Sequence, residues 1–295
     1  MTTTTILPIQ TVAQRSAVQK TFVDATLLSG FTDAAHFEML CGEYLATLDQ
    51  QDAASVRTAA AAARSFVSTL PASNAVELAD FVRQPIQGNH VAGIVADPVF
   101  QQSFGGLPHQ FAHVELSRLV ALQPWVEPRR DVVPTDEQGL LDFCLPRNWE
   151  VPAELSYLPQ SNAIQVLSSD PALSGLKVDF DQALGKVTLA PPLHPNLIQV
   201  AAFNGRAYLR NGYHRVVDAL AQGLTTLPAI VVYPQIPDHV LLPAAGCFNL
   251  FPVMAMPRPP MLSDFSTDAA ITTRVRERRY GLIVTLDIKP FNIGV

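Results

Sequence analysis

Five consecutive residues carry the clearest chemistry in this chain: Asn211, Gly212, Tyr213, His214 and Arg215. Glycine permits a tight bend and a close approach of a ligand to the backbone. If a helix opens directly after Gly212, its first N–H groups have no intrahelical acceptor, and the positive end of its dipole falls at the same place. That geometry binds anions, phosphate above all. His214 and Arg215 add side-chain donors, and an arginine fork can grip phosphate with two parallel bonds. The same residues also have a plainer use. A glycine often joins a strand to a helix, His214 can cap neighbouring groups, and Arg215 can pair with a buried acid such as Asp218 or Asp264.

The pattern around the turn predicts the elements that hold it. Leu197–Phe203 reads as a strand, and Asn204-Gly205 is the dipeptide of a tight type I′ hairpin. Ala207–Leu209 returns as the second strand, and His214–Gln222 forms a helix that Gly223 closes. The apolar run Ala229–Tyr233 predicts a strand buried on both faces. Ile164–Leu167 and Lys186–Leu189 are two further strands, and His113–Leu116 is a short one followed by a compact turn. Upstream, residues 12–102 read as mostly helical. Phe22, Val23, Leu27 and Leu28 recur at helical spacing, as do Phe37, Leu40, Cys41, Tyr44, Leu45 and Leu48. Asp33 is placed to cap that second helix. The alanine-dense stretch Ala53–Leu70 stops at Pro71, and Val76–Val82 forms a short helix. These helices form a packing layer or a surface for a protein partner. Residues 135–160 read as irregular cover, Thr267–Arg279 as a helix carrying Arg274, Arg276, Arg278 and Arg279, and Gly281–Ile288 as a last strand.

Charge and composition exclude several classes. The 295 residues hold 20 Lys and Arg against 26 Asp and Glu, a net charge of -6. No global basic field draws the chain to DNA or to an anionic membrane. Sixteen of those bases are Arg and only four are Lys, an imbalance that GC-rich coding produces as readily as a binding role. Hydrophobic residues at 48% supply a core, and charged residues at 16% are too few for a disordered chain. Cys41, Cys144 and Cys247 are scattered and odd in number, which argues against a disulfide framework and for a reducing, cytoplasmic setting. The threonine run at the start does not read as a signal peptide, and no apolar run is long enough to span a membrane. His109 and His113 stand four apart, a metal spacing only on a helix, which Gly105-Gly106 and Pro108 oppose. No metal site is expected. The chain contains no phosphate-binding Walker loop, no Rossmann glycine run and no serine-hydrolase elbow.

The stretch Tyr208-Leu209, Gly212-Tyr213-His214-Arg215, Gly223, Leu227-Pro228 and Ala229-Ile230-Val231-Val232 resembles the signature of the ParB/sulfiredoxin superfamily. There a hairpin strand leads to a G-x-[HR]-R turn, a helix, and a buried strand after proline. The segment Arg258-Pro259-Pro260-Met261-Leu262-Ser263-Asp264-Phe265 adds a likeness to an uncharacterised bacterial branch of that superfamily. The resemblance implies an α+β fold with a mixed-sheet core at about 110–235, an insertion at about 120–195, a helical region at 10–102 and a C-terminal extension, 236–295, packed on the core. It implies nucleotide phosphate at the turn, held by Asn211, Gly212, Tyr213, His214 and Arg215, with ATP or CTP as ligand and Mg²⁺ as its companion. It also offers Glu115, near the first strand, as a catalytic glutamate in the manner of the superfamily's serine kinases. The sulfiredoxin cysteine is replaced by Tyr213, which argues against sulfinic acid reduction. The acidic residue of the segregation proteins is missing from the turn, which argues against DNA segregation. Three functions stay open: a nucleotide-binding regulatory or scaffold protein, a phosphotransferase or nucleotide hydrolase acting on a small molecule, and an interaction domain with an inactive ancestral site.

Overall fold

The computed structural model describes residues 10–11, 22–72, 78–127, 132–147, 154–161, 163–168, 177–181, 186–190, 195–240, 247–276 and 280–285. The chain is a mixed α+β protein and divides into two compact units. One unit takes residues 1–20, 150–194 and 278–295; the other takes 21–149 and 195–277. Residues 150–194, the later part of the expected insertion, group with residues 1–20 and 278–295.

The smaller unit has a four-stranded sheet in the order β1 (Gln10–Thr11), β7 (Glu154–Leu158), β8 (Ala163–Ser168), β15 (Tyr280–Thr285). β1 runs parallel to β7, and the other pairs are antiparallel. A separate hairpin joins β9 (Lys177–Asp181) to β10 (Lys186–Ala190).

The larger unit holds the predicted turn. Its six-stranded sheet has the order β3 (Val82–Pro85), β4 (His109–Glu115), β13 (Thr226–Val232), β11 (Gln199–Phe203), β12 (Arg206–Asn211), β5 (Leu119–Ala121). β13 is buried from Leu227 to Val232, as its apolar run requires. It is antiparallel to β4 and parallel to β11. Pro228 is tolerated in this central strand because the ladder to β11 begins only at Ile230. β4 and β5 are separated by three strands in the pairing order, yet only three residues lie between them in the chain. From Glu115 to Leu119 the backbone reaches at most about 14 Å, whereas four flat strand spacings need roughly 19 Å. The sheet is therefore curled.

The β11–β12 hairpin forms as expected: Asn204 and Gly205 both take positive φ, 48° and 67°, and Phe203 faces Arg206. Helix α7 (Tyr213–Ala221) follows. It ends in a Schellman motif, with Gly223 at φ 81° and the Leu224 N–H donating to the Ala219 carbonyl.

Two helical expectations are overturned. Residues 22–27 form strand β2, and 271–276 form strand β14; the two pair antiparallel from Phe22↔Arg276 to Leu27↔Ile271. β6 (Trp125–Val126) completes that three-stranded sheet. Val23, Ala25 and Leu27 alternate inward with period two, which the spacing of residues 22, 23, 27 and 28 disguised. On β14, Thr273 and Val275 point inward, while Arg274 and Arg276 pair outward with Asp24 and Glu43. The expected arginine helix is thus half a strand edge of solvated ion pairs, and Arg278 and Arg279 lie outside the described residues. The helices α1 (Ala34–Leu45) and α2 (Gln50–Ser68) form as expected, capped by Asp33 and Asp49, and pack Phe37, Cys41, Leu45 and Ala60 into this sheet's core. Among the described residues the remaining α-helices are α3 (Leu78–Phe81), α4 (Asn89–Val95), α5 (Pro98–Phe104), α6 (Glu137–Cys144) and α8 (Leu250–Ala255). α6 lies in a stretch read from sequence as irregular. Among the described residues no helix is long and apolar enough to cross a membrane.

Candidate functional site

Gly212 sits between β12 and α7 as the helix N-cap, at φ 96°, a left-handed conformation that favours glycine. The close approach that its missing side chain permits is to Ile198: a Cβ there would meet Ile198 Cγ1 at 2.8 Å. The Asn211 amide donates to the Leu197 carbonyl at 3.2 Å, which ties the end of β12 to the start of β11. Tyr213 turns into the core and is 5% exposed. Its hydroxyl accepts from the N–H groups of Leu122 (2.7 Å) and Gln123 (3.1 Å) and donates to the Leu209 carbonyl (2.8 Å). Burial pushes its pKa well above the ordinary tyrosine range. Tyr213 is a clasp between β5 and β12.

His214 Nδ1 lies 2.6 Å from the Glu127 carbonyl oxygen, so that nitrogen carries a proton and donates it. Arg215 is half-buried. It donates from Nη1 to the carbonyls of Phe143 (2.9 Å) and Cys144 (3.3 Å) and from Nη2 to the Asn196 side-chain oxygen (3.0 Å). Phe143 and Cys144 are the last residues of α6, whose terminal carbonyls lack helical donors and carry the negative end of its dipole. A helix end is thus among the partners of Arg215. Of the acids considered for it, Asp264 is held by Arg258 in a two-pronged pair at 2.6 and 3.0 Å. Arg206 does for α8 what Arg215 does for α6: it donates to Val253 and Met256 at 2.8 and 2.6 Å.

Arg210 differs. The pairing skips it, because Val200 faces Leu209 and Gln199 faces Asn211, so it occupies a bulge just before the turn. Its Nε and Nη1 are buried and have no hydrogen-bond partner among the described residues. Burial alone lowers its pKa to about 10. The sequence reading gave this residue no role, although it stands in the stretch Arg210-Asn211-Gly212-Tyr213-His214-Arg215 that resembles the bacterial branch of the superfamily. The available signal was a guanidinium in a strand whose neighbours Ala207, Tyr208 and Leu209 are all buried.

The other expected groups are placed apart from the turn. Glu115 ends β4, three strands from β12 in the pairing order. Its carboxylate accepts from Arg83 at 3.4 Å and from Ser117 at 3.2 Å. His109 and His113 lie on the same strand, β4, rather than on a helix. Among the described residues no group of three or more His, Cys, Asp or Glu is arranged to hold a metal ion. Cys144 is brought beside Arg215 but is fully buried, and burial holds its thiol at a pKa of about 12 against the pull of that cation. It is no nucleophile at neutral pH.

Comparison with known proteins returned no matching family model, no matching curated protein and no matching solved structure.

Proposed function

We propose that this chain binds the phosphate groups of a nucleotide, ATP or CTP, at the Gly212 turn and acts as a regulatory or scaffold protein in the cytoplasm. Arg210 carries this reading. Burying part of a guanidinium without partners costs free energy, and an anion that pairs with it recovers that cost. Arg210 stands two residues before Gly212, so their Cα atoms are at most about 7 Å apart. In this reading one phosphate draws on both the guanidinium and the first N–H groups of α7. The resemblance of residues 208–232 to the ParB/sulfiredoxin turn supports the same ligand. His214 and Arg215 then act as positioning residues that fix α7 against the 127 loop and α6. Mg²⁺ enters this reading only as a companion of the ligand's phosphates.

A second reading has its own support. Tyr213, His214 and Arg215 all direct side-chain donors at the protein's own carbonyls, as in an interaction domain whose ancestral site is inactive. The two separate in a thermal-shift panel of ATP, CTP and pyrophosphate, each with and without Mg²⁺. A ligand at a hundred times its Kd stabilises the folded state by about 2.7 kcal/mol, a rise of several degrees. Nucleotide binding predicts that rise in the native chain and its loss in Arg210→Met. A flat response of the native chain to every polyphosphate leaves the interaction domain. Phosphate release on incubation with ATP or CTP would instead favour a phosphotransferase or hydrolase.

A further inference from the structure

A small cleft opens at the other end of β12 from Gly212. It has a volume of about 250 Å³ and is lined by Pro71, Ala72, Ser117 and Arg118 on one side and by Arg258, Met261 and Ser263 on the other. Ser117 and Arg118 directly precede β5, which runs parallel to β12 with Leu119 facing Ala207. The turn at Gly212 follows the far end of the same strand. Five steps of extended chain, roughly 16 Å, separate Ala207 from Gly212. The cleft is therefore separate from the turn. Its volume falls below the ~300 Å³ at which pockets begin to enclose drug-sized molecules, so it does not enclose a whole nucleotide.

The charges around the cleft are unequal. Arg258 is neutralised by Asp264, and Glu115 by Arg83. Arg118 is exposed and has no ion-pair or hydrogen-bond partner among the described residues. Among the described residues the lining thus carries one uncompensated positive charge, in a group whose planar fork matches a carboxylate. The hydroxyls add direction. Ser117 gives its proton to Glu115, which leaves its oxygen lone pairs to accept a bond. Ser263 has no hydrogen-bond partner among the described residues and can donate or accept. Met261, Pro71 and Ala72 offer an apolar wall.

We propose that this cleft binds a small carboxylic acid that carries a hydroxyl or amino group next to its carboxylate. Arg118 takes the carboxylate, Ser117 accepts the neighbouring O–H or N–H, and the apolar wall takes a short side chain.

Saturation-transfer NMR on the full chain, with L-lactate, L-alanine and propionate as probes, tests this. Lactate and alanine should give saturable signals at millimolar concentrations. Propionate, which lacks the neighbouring donor, should bind at least threefold more weakly. Arg118→Gln should weaken lactate and alanine at least fivefold, and Ser117→Ala, which should remove their advantage over propionate, provides a second variant should the first fold poorly. ATP and CTP should not compete. Signals that do not saturate overturn the proposal, as do signals that both variants leave unchanged. Competition by ATP or CTP would merge the cleft with the turn and also overturn it, whereas failure of the nucleotide thermal shift leaves it standing.

Discussion

Arg215 closes the end of α6: its Nη1 lies 2.9 Å from the carbonyl oxygen of Phe143. The cation that the turn's sequence offers to a ligand is engaged with the protein itself, and this changes what its removal should do. A charge-assisted bond to a carbonyl contributes about 1.5–3 kcal/mol. Arg215→Ala should therefore lower the urea midpoint by an equivalent amount, and Arg215→Lys should restore only part, because the ammonium lacks the fork. Calorimetric affinity of the folded protein for ATP or CTP should change less than threefold. A tenfold loss of affinity with an unmoved midpoint would return Arg215 to the ligand.

Gly212 and Gly223 offer a controlled comparison. Both have positive φ, 96° and 81°, but a Cβ on Gly212 meets Ile198, whereas one on Gly223 meets nothing within 4 Å. Gly223→Ala should cost only the left-handed backbone penalty, roughly 1–2 kcal/mol. Gly212→Ala adds overpacking, typically a further 1–3 kcal/mol. Urea denaturation of the two single variants should rank them in that order. Ile198→Ala combined with Gly212→Ala should cost less than the sum of the two single losses, because it removes the Cγ1 that the new Cβ crowds. Equal losses would show that the contact carries no strain.

The thiols should divide by burial. Burial holds Cys41 and Cys144 at pKa values of about 12, and Cys247 is only half-buried. Thiol titration of the native protein at pH 8 should count no more than one reactive group, and three after denaturation. Rapid reaction of Cys144 in the native state would contradict its placement beneath Arg215.

His113 gives stability an acid limit. Burial on β4 lowers its pKa below the ordinary 6.5, with Glu137 opposing in part. The unfolded chain then binds the proton more readily than the folded one. The contribution is fully present above pH 6.5 and is lost as the pH falls through the lower folded value. His113→Gln should flatten that part of the curve of urea midpoint against pH. An unchanged acid slope would assign the loss to other groups.

The Arg210→Met variant should also be more stable than the native chain without ligand. An unpartnered, partly buried cation is replaced by an apolar side chain of similar length. The gain should be constant between pH 6 and 9. With a folded pKa of about 10 against an ordinary 12.5, Arg210 is charged in both states throughout that range, and the cost is relieved only as the pH rises past 10. A lowered midpoint would mean that the guanidinium already has its partners.

What the sequence revealed depended on how far each signal reached. Asn204-Gly205 and Gly223 were legible because positive φ is a local demand that few residue types meet. The buried run of β13 was legible because its apolar residues are contiguous. β2 was not, because residues 22–28 fit both periods and the decision lies with a strand some 250 residues away. The donors at 214 and 215 were legible as donors but not in their targets. The Phe143 and Cys144 carbonyls belong to a helix whose surrounding prolines hid it. Arg210 escaped because its significance is a lack of partners, which no sequence pattern records.

The pairing of β2 with β14 also sets a timetable. A ribosome adds about 5–20 residues per second, so β2 emerges roughly 12–50 s before the strand that pairs with it. During that interval Ala25 and Leu27, buried in the finished protein, have no β14 edge to bond. α1 and α2 can pack against them early, but the three-stranded sheet closes only once β14 has been made.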